Sequence, residues 1–94
     1  MSKSCSSKLK IINRQGLHAR PAMEFVEAAS KFLADVRVRS YAEDADGKSV
    51  MELMMLAATA GTEIEVTCIG EDADAALKHL ALLVNRGFNE DDDE

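Results

Sequence analysis

The hydrophobic period of this chain switches repeatedly between two and about 3.6, and few folds accommodate that alternation. The stretches Lys8-Leu9-Lys10-Ile11-Ile12-Asn13-Arg14, Asp35 to Tyr41 and Thr62 to Ile69 alternate apolar with polar residues. Such alternation marks strands that bury one face and wet the other. Leu9 and Ile11, then Val36 and Val38, then Ile64, Val66 and Cys68 are the expected inward residues. Between these stretches the spacing becomes helical. From about Ala19 to Leu33, the residues Ala22, Phe25, Val26, Ala29, Phe32 and Leu33 fall on one stripe, with Glu24, Glu27, Ser30 and Lys31 facing away. A second stripe joins Ala73, Ala76, Leu77, Leu80, Leu83 and Val84, with Asp72 as its expected cap and Gly87 suited to a left-handed C′ position.

Two shorter segments complete the pattern. Ser49-Val50-Met51-Glu52 reads as a capping box opening a short apolar helix that runs to about Ala58, and Gly61 ends it. The acidic stretch from Ala42 to Gly47 leaves room only for a short edge strand. The order is then β-α-β-β-α-β-α. Strands with one apolar face and one-sided helices make a two-layer α+β domain, its sheet covered on one face only.

Composition narrows the class. With 47% apolar and 30% charged residues the chain has enough apolar material to fold, although scarce aromatics leave the core to Leu, Val, Ile, Met and Ala. The net charge of -6 lacks the basic face that nucleic acid requires. Five of those charges sit in Glu90 to Glu94, leaving about -1 for the rest. The expected organisation is therefore a disordered segment over 1–7, a domain over 8–88 and a solvated acidic tail over 89–94. No apolar run resembles a secretory signal or a membrane span, so Cys5 and Cys68 are expected as reduced thiols in a cytoplasmic protein. Cys68 reads as a small core residue and Cys5 as an exposed thiol in a loose start. Two Cys and two His match no zinc spacing, so neither a metal nor a cofactor is expected.

The chemistry concentrates in Gly16-Leu17-His18-Ala19-Arg20-Pro21-Ala22. Pro21, without an N–H, fits only the first turn of a helix, which places His18 at the helix entrance. Unpaired N–H groups and the positive end of the helix dipole favour an anion there. A free imidazole titrates near about 6.5, so at neutral pH one ring nitrogen keeps a lone pair able to attack phosphorus. Arg20 can hold phosphoryl oxygens, and because it precedes a proline it is expected just outside the helix. Taken alone, a His beside an Arg at a helix start is more often a cap or a surface residue.

This segment resembles the phosphorylation-site motif of the histidine-containing phosphocarrier family, HPr, of the bacterial phosphotransferase system. Gly47-Lys48-Ser49-Val50-Met51-Glu52-Leu53-Met54-Met55-Leu56-Ala57-Ala58 resembles that family's regulatory-serine region, and Gly61-Thr62-Glu63-Ile64 resembles the start of its last strand. The resemblance runs from about Lys8 to Phe88. It implies an open-faced sandwich with four antiparallel strands in the order 1-4-2-3 and three helices, a phosphoryl group on Nδ1 of His18, and Arg20 stabilising it. It also implies a monomer with Enzyme I as donor and an EIIA-type component as acceptor, in sugar uptake or in nitrogen-related regulation. An HPr kinase/phosphorylase acting on Ser49 follows from the same source. The capping box explains Ser49 equally well, and the charge of Glu52 would oppose a phosphate there.

No second base, metal cluster or acidic pair adjoins His18 in the sequence to activate water, so a phosphohistidine would persist until an acceptor docks. The chain then acts as a carrier without turnover of its own. Val50, Met51, Met54 and Met55 cannot all enter the core of so short a helix, and Val50, Met51 and Met54 are the expected docking residues. His79 is expected in solvent, off the core stripe. Two other readings remain: a regulatory docking module of the same fold that carries no phosphate, and a small-ligand-binding regulatory domain. The first sits uneasily with His18 and Arg20, and the second lacks a Gly-rich or polar ligand loop.

Overall fold

The computed structural model, which describes residues 3–56 and 58–89, runs β1 (Ser4–Lys10), α1 (Ala19–Ala29), β2 (Asp35–Ser40), β3 (Glu43–Asp46), α2 (Val50–Met55), β4 (Glu63–Ile69) and α3 (Ala73–Asn85). A single 3-10 turn, Gly87–Asn89, follows. The strands form one antiparallel sheet in the order β1-β4-β2-β3. The fold class and the sheet order are those expected.

Period two decides what each strand buries. Leu9, Val36, Val38, Ile64, Val66 and Cys68 face the helices and are buried. The opposite face is wet and ordered in rows of alternating charge. Lys8 lies opposite Glu65, Glu65 opposite Arg39, and Arg39 opposite Asp44. Arg39 Nε donates to Asp44 Oδ1 at 3.0 Å, which holds the guanidinium charged and lowers the Asp44 carboxyl. From the helices, Phe25, Leu53, Leu80 and Val84 are fully buried against the sheet. Complete burial of a side chain such as Phe25 contributes about 1.5–3 kcal/mol.

Several boundaries depart from the sequence reading. Ser4–Ser7, expected to be disordered, form the first half of β1 and pair with Val66–Ile69. Ladder bonds use backbone groups, so a Ser-rich segment with few apolar side chains still pairs with an apolar partner strand. Helix α1 stops at Ala29, short of Leu33, and Leu33 is 90% exposed. Ser30 N–H still donates to Val26 O, and the two amides after it leave the helical pattern: Lys31 N–H donates to Ala28 O and Phe32 N–H to Ala29 O, both at 3.2 Å. Tyr41, expected within the second strand, instead adopts φ +56 in the turn between β2 and β3. Helix α2 ends at Met55 instead of Ala58. Of the expected acidic tail, Asn89 belongs to the closing turn, and Glu90 to Glu94 lie outside the described residues.

Asp72 does not cap α3 with its side chain. Its carboxylate reaches the α1–β2 loop, where Oδ2 accepts from Leu33 N–H and Oδ1 from Ala34 N–H, each at 2.8 Å. Lys48 Nζ donates to Phe32 O at 2.8 Å in the same loop, and the His79 ring lies tilted against that of Phe32, centroids 5.7 Å apart. His79 is exposed, as expected, but it has this ring neighbour.

At the far end, Gly87 and Phe88 both adopt left-handed φ, +65 and +58. For a bulky residue this costs about 1–2 kcal/mol. Complete burial of the Phe88 ring offsets it.

The N–H donors from Leu33 and Ala34, with the Lys48 charge, hold the Asp72 carboxyl below the usual carboxylate range. A carboxyl depressed by folding contributes stability above its unfolded pKa, and that contribution fades as pH falls through the folded value. Asp72→Asn is therefore expected to lower stability at pH 7. Urea titrations at a series of pH values should show the gap to wild type narrowing below about pH 4.

Candidate functional site

The approach to α1 is built from backbone. Ile11 N–H donates to Thr62 O at 2.8 Å and Gly61 N–H to Ile11 O at 2.7 Å, so the chain leaving β1 stays tied to the start of β4. Asn13, buried, donates from Nδ2 to Gly16 O at 2.8 Å and closes the turn. Gly16 has φ +71, and a Cβ there would collide with the Ala58 carbonyl oxygen. That close approach lets Leu17 N–H donate to Ala58 O at 2.9 Å.

His18 is the N-cap residue of α1, with extended backbone (φ -87, ψ -167), and its carbonyl accepts from Ala22 N–H at 2.9 Å. Its side chain does not cap the helix, and the imidazole is half-buried. Ala19 and Arg20 supply first-turn N–H groups without intrahelical partners, and Pro21 has none to supply. The first turn contains no acidic residue. The helix start therefore presents a positive field beside an imidazole.

Arg20, expected just outside the helix, lies within it at the second position. Pro21 stands at the third position, where a missing N–H costs no helical bond, and its complete burial outweighs the steric bias against helix in the residue before it. The Arg20 side chain is exposed, with Nε 3.7 Å from Glu24 Oε2 one turn on. The other carboxylate oxygen, Glu24 Oε1, is buried and has no hydrogen bond among the described residues. Glu24 was expected only as an outward-facing charge. An acidic residue four positions after the arginine is the signal that could have marked it.

Helix α2 packs beside α1 and carries the other expected site residues. Ser49 is its N-cap, Oγ accepting from Glu52 N–H at 3.2 Å. The reciprocal half of the box is absent. Ser49 N–H donates to Asp46 O, and Glu52 Oε1 accepts from Asp46 N–H at 2.8 Å, tying the helix to β3. Met51, Met54 and Met55 are all exposed, Met55 as much as Met51, while Val50 is partly buried against the core. Val50 is thus the least available of the expected docking residues, and Met55 is one the sequence reading passed over. Among the described residues no cluster of His, Cys, Asp and Glu is arranged to hold a metal, and no helix is long and apolar enough to cross a membrane.

A family model described as the phosphotransferase-system HPr component phosphorylation site matches residues 5–86. The chain belongs to the HPr family. Phosphocarrier protein HPr of Pseudomonas aeruginosa is 45% identical over 84 residues, covering 88% of this chain and 93% of that protein. Phosphocarrier protein NPr of Escherichia coli is 39% identical over 84 residues, with the same coverage of 88% and 93%. The crystal structure of HPr from Thermoanaerobacter tengcongensis superposes with a TM-score of 0.89 at 34% identity, covering 93% of this chain and 98% of that one. In this HPr-family chain the matched region begins inside β1, in agreement with Ser4–Ser7 being part of the sheet.

Ser49→Ala removes the cap that serves Glu52 N–H, and by the usual worth of an N-cap it should cost about 1 kcal/mol. Chemical denaturation measures this directly.

Proposed function

We propose that His18 takes a phosphoryl group from phosphorylated Enzyme I and passes it to an EIIA-type acceptor. The observation that carries this reading is an imidazole standing as N-cap of α1, beside first-turn N–H groups and with no acidic residue in that turn. The imidazole lone pair attacks phosphorus while the bond from phosphorus to the donor breaks and the donor group leaves, and the new P–N bond forms on Nδ1, as the family resemblance implies. The helix start offers N–H groups and a positive dipole to the phosphoryl oxygens as their charge redistributes.

Arg20 supplies the mobile charge. Its guanidinium, exposed on the first turn, turns from Glu24 towards the phosphoryl oxygens and binds them with charge-assisted hydrogen bonds. Glu24 therefore competes with phosphate for one arginine, which keeps the phosphohistidine from being held too tightly to pass on. The exposed face of α2, with Met51, Met54 and Met55, suits docking on donor and acceptor in turn, since unbranched thioethers repack against different surfaces. Such an exchange takes place in the cytoplasm.

Relatives named for both branches, HPr and NPr, match this chain over the same share of its length. The branch, sugar uptake or nitrogen-related regulation, is decided by which acceptor takes the phosphoryl group. Ser49 is a second candidate for phosphate through a dedicated kinase. Its Oγ already serves Glu52 N–H, and the Glu52 carboxylate one turn on opposes a dianion.

Incubation with phosphoenolpyruvate and Enzyme I is expected to place acid-labile label on His18, and His18→Ala should abolish it. Label on the alanine variant equal to wild type overturns the proposal. Arg20→Ala should slow transfer about 10-fold to 100-fold. Glu24→Gln should lengthen the phosphohistidine lifetime by about twofold to fivefold, the worth of a partly exposed ion pair. Pulse-chase labelling reads both.

A further inference from the structure

Neither cysteine has a part in phosphoryl transfer, yet the sheet brings the two together. Cys5 on β1 and Cys68 on β4 are register partners, and both are free thiols. Two residues along the same ladder, Gly70 N–H donates to Lys3 O at 2.8 Å, and at the other end Ile11 N–H donates to Thr62 O. Alternation of the antiparallel ladder therefore makes Cys5 and Cys68 a hydrogen-bonded pair, for which the Cα spacing is about 5.5 Å. Disulfides span Cα separations of about 4.4–6.8 Å, which includes this spacing, but the Cβ atoms of a hydrogen-bonded pair stand about 5.5 Å apart and must close by about 1 Å, so the bond would form under strain and stay easily reduced. Register partners also project from the same face. Cys68 is fully buried beneath the helices and Cys5 is half-buried at the sheet's edge strand.

We propose that Cys5 and Cys68 are a redox-modifiable cross-strand pair that closes to a disulfide with a low-molecular-weight disulfide as oxidant. Exposure assigns the roles. Cys5, the accessible thiol, loses its proton and attacks one sulfur of the oxidant, forming a mixed disulfide and releasing the first small thiol. Cys68, already opposite, attacks the Cys5 sulfur. The protein S–S bond forms, the mixed S–S bond breaks, and the second small thiol leaves with the proton from Cys68. Two protein thiols lose two electrons and two protons, and the oxidant gains them.

Burial and the adjacent Asp74 carboxylate raise the Cys5 thiol, with Lys3 opposing, and burial pushes Cys68 up to about 11. Both shifts keep the resting pair as thiols and make closure slow, answering to sustained oxidation instead of brief exposure. The bond would fasten edge strand β1 to the adjacent strand β4 while enclosing α1, β2, β3 and α2 in one covalent loop. The pair sits where β1 begins, and His18 follows where β1 has ended, so closure leaves the phosphoryl site in place.

The test treats the full chain with oxidised glutathione, followed by peptide mapping without reductant and by thermal melting. The expected product is a monomer lighter by two hydrogens, with the Cys5 and Cys68 peptides linked and Tm raised by about 5 °C, strain offsetting part of the loop-closure gain. Dithiothreitol should reverse both changes. Cys5→Ser, a half-buried edge position that should leave the fold intact, is expected to lose the link and the Tm shift together. A stable glutathione adduct on Cys5 with Cys68 still free, a dimer linked through Cys5, or an unchanged thiol count would each overturn the proposal.

Discussion

The backbone contact between Leu17 and the Ala58 carbonyl fixes where the first helix begins, and much else follows from it. It requires a glycine at position 16, because any side chain there would strike the same carbonyl. It ties the loop that follows α2 to the loop that enters α1, Leu17 N–H donating to Ala58 O. With the chain held there, Pro21 drops into the core and His18 becomes the N-cap. The chemistry of an imidazole beside open amides is thus set by contacts between backbone groups far apart in sequence.

The periodic parts of the fold were legible in the sequence, for a simple physical reason. A strand over one dry face must alternate, so Val36 and Val38, and Ile64, Val66 and Cys68, announced their burial. The α3 stripe did the same through Ala76, Leu80 and Val84. Where hydrogen bonds across the fold set a boundary, the sequence was silent. Asp72 looked like a cap because caps are local, but its carboxylate serves amides of a distant loop. Ser4–Ser7 looked loose because ladder bonding leaves no apolar trace. Tyr41 bends the chain at a position where composition offers no glycine or asparagine to advertise a turn.

The candidate site was readable in its identity more than in its electrostatics. Pro21 alone located the helix start to within a few residues, and the motif around it marked His18 and Arg20. The placement of Arg20 inside the first turn depended on how deeply Pro21 packs, which a one-dimensional steric rule does not contain. Glu24 gained its interest from the same geometry, since only a helical Arg20 comes within reach of a carboxylate one turn later. Met55 was weighed but not chosen as a docking residue, because periodicity assigns a residue to a face and says little about how much of that face neighbours cover.

The rows of alternating charge on the open side of the sheet bear on how these molecules meet one another. An uncovered sheet face is flat and broad, the kind of surface on which copies of a chain can stack when it is apolar. Here each cation is met across the strands by an anion, Lys8 with Glu65 and Arg39 with Asp44. A stacked copy would strip water from charges already neutralised at home, at a desolvation cost with little new attraction in return. Stacking of copies through the half of the molecule left bare by the helices is thereby disfavoured, without a third layer of structure to cover it.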